Sequence, residues 1–78
     1  MPKTRRDYLK REVAQAYLGL ERVMECVHVI EEIFHEPHPD LAIALEVVLQ
    51  ASLASQEILR KFWCAAWGQE DPRWESWI

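Results

Sequence analysis

Apolar residues recur along the first half of the chain at alternating steps of four and three: Leu9, Val13, Ala16, Leu20, Val23, Val27, Ile30 and Phe34. That rhythm is the seam along which one helix packs on another. It predicts a first helix over about 5–36. Thr4 with Asp7 resembles a capping box at its start. Gly19 is its one glycine, at a cost of about 1 kcal/mol relative to alanine.

Two prolines, Pro37 and Pro39, exclude a continuous helix and place a turn at 37–39. Pro39 suits the first helical position, and Asp40 sits where the helix dipole favours an anion. A second helix is predicted over about 39–67, ended by Gly68 and followed by Pro72. Its first seam reads Leu41, Leu45, Val48, Ser52, Ser55, Leu59, Phe62 and Ala66. A connection this short folds the second helix back antiparallel. Small Ser52 and Ser55 then lie level with large Val23 and Leu20, and Leu59 with small Ala16.

More apolar surface is present than one such pairing consumes. Ala44, Val47, Ala51, Ala54 and Ile58 form a second seam about 100° around the second helix. Tyr17, Met24 and Ile33 widen the stripe of the first. Contiguous apolar surface on a small protein marks an interface. The expected fold is therefore all-α: an antiparallel two-helix hairpin that self-associates into a four-helix bundle, with a short Trp-containing tail over 68–78. A homodimer is the simplest closed form, with a higher oligomer as the alternative. Ala44, Val47, Ala51, Ala54, Ile58, Tyr17 and Met24 are its expected interface.

At 78 residues the chain is one domain, and its own core supplies only about 3–5 kcal/mol. Half of the residues are apolar, so composition excludes disorder. The net charge of −4 argues against nucleic acid as a partner. Two cysteines, Cys26 and Cys64, make no disulfide framework. Residues 1–7 lead into an amphipathic run rather than an apolar one, so no signal peptide is expected. Charged residues interrupt 41–67, and no membrane span is expected. These features together place the protein in the cytoplasm.

Charge is sorted along the hairpin. Lys3, Arg5, Arg6, Lys10 and Arg11 crowd one pole together with Arg60 and Lys61, while Glu31, Glu32, Glu36, Asp40 and Glu46 crowd the other. For the first helix this opposes the macrodipole. An antiparallel dimer would bring unlike poles together, which makes charge a device of assembly.

Candidate chemistry is sparse. Glu25–His28 and Glu32–His35 share the Glu-x-x-His spacing of di-iron bundles, but they fall opposite the apolar stripe. Glu32, His35, His38 and Asp40 are the candidate metal ligands near the turn. Cys26 and His28 point apart by about 200° on a helix. No catalytic signature or phosphate loop is present, so no enzyme activity and no cofactor are expected. The sequence favours a small protein acting through protein contacts, as an adaptor, regulator or inhibitor of a larger partner. Trp74, Trp77, Arg5 and Arg6 are its candidate partner-binding residues. The alternatives are a metal-binding bundle and a dimer that holds nucleic acid through its basic N-terminal segment.

Overall fold

The computed structural model describes residues 5–68 and 72–77. Helix α1 spans Arg5–Phe34, helix α2 spans Pro39–Trp67, and a 3-10 turn follows at Trp74–Trp77. The expected Thr4 cap and Lys3 lie outside the described residues. Asp7 stands in the first turn of α1, where a carboxylate complements the dipole.

Helix α1 stops at Phe34, two residues short of the expected end. Pro37 accounts for this, because a residue before proline is driven out of the α region. The His38 N–H donates to the Phe34 carbonyl at 2.9 Å and closes the last turn. His38 then stands at the N-cap of α2 without a side-chain cap. Its carbonyl accepts from the N–H groups of Leu41 and Ala42, both at 3.1 Å. At the far end Gly68 adopts φ 71°, and its N–H donates to the Cys64 carbonyl at 2.8 Å. A left-handed residue is cheap only for glycine, so the helix ends here and the chain turns back.

The two helices lie antiparallel, with Tyr17 level with Gln56 and Arg60. The residues between them match the expected seams only in part: Val27 and Ser52 are buried as expected, but the other inward positions differ. On α1 the inward positions are Lys10, Ala14 and Val27, with Tyr17, Met24 and Glu31 half-buried. On α2 they are Ala42, Leu49, Ser52, Gln56 and Trp63. Leu9, Val23, Ile30 and Phe34 are 38–45% exposed. One row of each seam is displaced by one residue, from 9, 16, 23, 30 to 10, 17, 24, 31, and from 41, 48, 55, 62 to 42, 49, 56, 63, while the other row keeps Val27 and Ser52 buried and Val13, Leu20, Leu45 and Leu59 half-buried. One residue is about 100° of helix rotation.

The cause is aromatic. Trp63 is fully buried, and it packs with Ala14 and Trp74 in the core. A buried indole removes more apolar surface from water than a valine or leucine at the same place. Its size requires a small partner, which Ala14 provides and Val13 would not. Turning Trp63 and Ala14 inward carries the aliphatic stripes outward. Because the helices run in opposite directions, the same rotation in sequence sense swings both stripes toward one broad side of the hairpin.

Polar groups caught inside are satisfied. Gln56 donates from Nε2 to the Tyr17 carbonyl at 3.1 Å. Among the described residues no buried side-chain polar atom lacks a hydrogen-bond partner.

Candidate interaction surfaces

At the open end of the hairpin the 3-10 turn folds back on α1. Trp74 is buried and stacks on Tyr17, with ring centroids 4.1 Å apart and planes 13° from parallel. Trp63 meets the edges or faces of Trp67, Trp74 and Trp77 at 4.9, 5.3 and 5.9 Å. These spacings suit the quadrupoles of aromatic rings. Arg73 enters the turn at φ 55°, a conformation costing a non-glycine residue about 1–2 kcal/mol. The Ser76 hydroxyl and N–H both donate to the Arg73 carbonyl, at 2.8 and 3.0 Å, and fix the bend.

Two cations are built into this cluster. Lys10 is buried, and its Nζ lies 5.4, 5.5 and 5.4 Å from the ring centres of Trp63, Trp67 and Trp77. Arg60 lies over Tyr17 and Trp74 at 5.7 and 5.8 Å, and its Nη2 donates to the Tyr17 hydroxyl at 3.3 Å. An ammonium among indole faces keeps an electrostatic partner after leaving water. Its methylene stem packs as apolar surface. Lys10 therefore contributes to the core rather than to a basic surface patch. Replacing it with methionine keeps the stem and removes the charge. The expected loss is about 1–2 kcal/mol, seen as a lower melting temperature in circular dichroism.

Of the candidate partner-binding residues, Trp74 is buried in its own chain and Trp77 is half-buried. Arg5 and Arg6 are exposed at the first turn of α1. Tyr17, expected on the self-association surface, is instead engaged by Trp74, Gln56 and Arg60. Met24 is half-buried between the helices. Lys10 was not singled out by its pattern position. The available signal was the i, i+4 spacing of Trp63 and Trp67, which builds a flat aromatic wall on one helix face.

The rest of the expected interface stands in solvent. Ala44, Val47, Ala51, Ala54 and Ile58 are all exposed; by helical period Val47 and Ala54 point away from α1, while Ile58 borders a groove between the helices. The broad side of the hairpin carrying the displaced stripes holds an apolar groove of about 640 Å³. Its walls are Ala16, Gly19, Leu20 and Val23 of α1 and Ser55, Ile58 and Leu59 of α2. The 3-10 turn reaches α1 from the other side, by way of Ala14, Tyr17 and Leu18.

Near the turn a second groove of about 600 Å³ brings together His28, Glu31, Glu32, His35 and Glu46. His28 Nδ1 lies 3.9 Å from Glu31. The His38 ring packs against Phe34 at 5.4 Å, and Asp40 stands in the first turn of α2. Glu32 and His35 thus share a groove that does not include His38 and Asp40. Among the described residues no group of three or more His, Cys, Asp or Glu side chains is placed to hold a metal ion. Neither Cys26 nor Cys64 is in a disulfide.

Helix α2 is long and apolar enough to cross a membrane by length and composition, with a mean hydropathy of 1.3 over its most apolar stretch. Only 22% of that stretch is buried. Comparison of the chain with protein-family models, with curated proteins and with solved structures gives no match.

Proposed function

We propose that this chain is a non-enzymatic helical hairpin that self-associates into a four-helix bundle and acts on a larger protein by contact, as an adaptor, regulator or inhibitor. One observation carries the reading. Among the described residues, fourteen large apolar side chains are exposed while six apolar residues are buried. A hairpin with this many large apolar side chains exposed gains by covering them, since each Å² removed from water contributes about 25 cal/mol. The exposed face of α2 is accordingly a protein interface rather than a membrane span. Two cysteines held outside any disulfide, Cys26 and Cys64, suit a reducing cytoplasm.

Sedimentation equilibrium tests this directly. The expected species has at least twice the 9.2 kDa chain mass at tens of micromolar. A monomer there would remove the proposal. A pull-down from the native host, with and without residues 69–78, would then identify the larger partner.

A further inference from the structure

We propose that two copies mate through the groove side of the hairpin, antiparallel about a two-fold axis near Gly19, and that the far flank of α2, which carries Val47 and Ala54, is not the mating surface. This rests on the self-association reading and specifies its interface.

Four observations converge on that side. First, it is apolar on both helices. Leu9, Val23, Ile30 and Phe34 of α1 and Leu41, Val48 and Phe62 of α2 are exposed there. In a four-helix bundle each stripe points at the bundle axis, between its neighbours, rather than straight at one of them. Two stripes rotated toward a common side are the arrangement of half a bundle.

Second, the area suffices. The hairpin measures 51 × 25 × 16 Å, and a stable interface needs about 800 Å² per partner. The broad side meets that requirement. The far flank belongs to one helix and is a single helix wide, about 10 Å.

Third, the groove is central. Its α1 residues, Ala16 to Val23, straddle the middle of Arg5–Phe34. A two-fold axis through that point lays the full length of one hairpin along the other. It also gives Gly19 a role. A methyl group added at Gly19 would meet nothing within 4 Å inside the chain, so packing within the hairpin does not require a glycine. A second backbone approaching at the axis does.

Fourth, the poles are complementary. At the open end the exposed Arg5, Arg6, Arg11, Arg60, Lys61 and Arg73 outnumber the exposed Glu12, Glu57 and Glu75, and at the turn end Glu32, Glu36, Asp40 and Glu46 are exposed. The antiparallel arrangement sets each against the other. A parallel one sets like against like.

The test is sedimentation of the wild type, Val23→Glu, Val48→Glu and Ala54→Glu, with helicity checked by circular dichroism. All three substituted side chains are exposed in the single hairpin, so the hairpin itself retains its helices. The dissociation constant should rise at least about 100-fold in Val23→Glu and Val48→Glu, where a charge is buried without a partner. It should change less than about 3-fold in Ala54→Glu, a surface substitution away from the contact. Raising salt from about 0.02 M to about 0.5 M should weaken the wild-type dimer, because unlike charges are being screened. A wild-type dimer that survives Val23→Glu and Val48→Glu but dissociates in Ala54→Glu overturns this assignment and leaves self-association standing. A dimer that tightens with salt overturns the antiparallel orientation. A monomeric wild type removes both the assignment and the reading beneath it.

Discussion

Trp63→Ala should abolish the cooperative thermal transition of the hairpin. Trp63 is the largest fully buried side chain, and Trp67, Trp74, Trp77 and Lys10 are arranged around it. Truncating a buried tryptophan costs about 3–5 kcal/mol through lost transfer energy and the cavity left behind. A chain of this size draws about the same amount from its whole core. Neither Ala14 nor the 3-10 turn can collapse into the space without losing its own contacts. Circular dichroism at 222 nm should show a broad, featureless melt. A retained sigmoidal transition shifted by less than about 5 °C, equivalent to about 1 kcal/mol, would show that stability resides elsewhere.

The second large effect is expected at Trp74. Trp74→Ala removes the ring stacked on Tyr17 and uncovers one side of Trp63. Arg73 holds a left-handed conformation that stands against the burial of Trp74. Without that burial the 3-10 turn has little to hold it, and it should detach as a unit. The expected loss is about 3 kcal/mol, at the lower end of the range for a buried tryptophan. Tryptophan emission should move to longer wavelength and become open to acrylamide quenching, while most of the helix signal remains. Unchanged quenching would mean that the turn stays in place through Trp77 and Lys10.

The elements themselves were legible in the sequence. Pro37 and Pro39 fixed the turn, Gly68 the end of α2, and the four-three rhythm the helices. The rotational setting was not. It differs by one residue on one stripe of each helix because Lys10 and Gln56 are buried although polar. A count of apolar positions assigns both to the surface, whereas Ser52 belongs to the expected seam and is buried. The burial of Lys10 and Gln56 follows from contacts that pattern does not encode: indole faces around an ammonium, and a helix carbonyl accepting from Gln56. The level at which residues pair survived this error. Leu20, Val23, Ser55 and Leu59 do meet, but as the walls of a groove rather than as two opposed layers. The metal candidates Glu32, His35, His38 and Asp40 were grouped by nearness in sequence. Glu32 and His35 line one groove, whereas the His38 ring packs against Phe34.

The enclosure of Lys10 also sets an order of events. Trp77, one of its three walls, lies 67 positions further along the chain. At a synthesis rate of about 5–20 residues per second, the lysine waits about 3–13 seconds for that wall to be made. Until Trp77 has been made, the Lys10 ammonium has two of its three indole walls at most, so the opening turns of α1 reach their full burial only after that residue joins the chain.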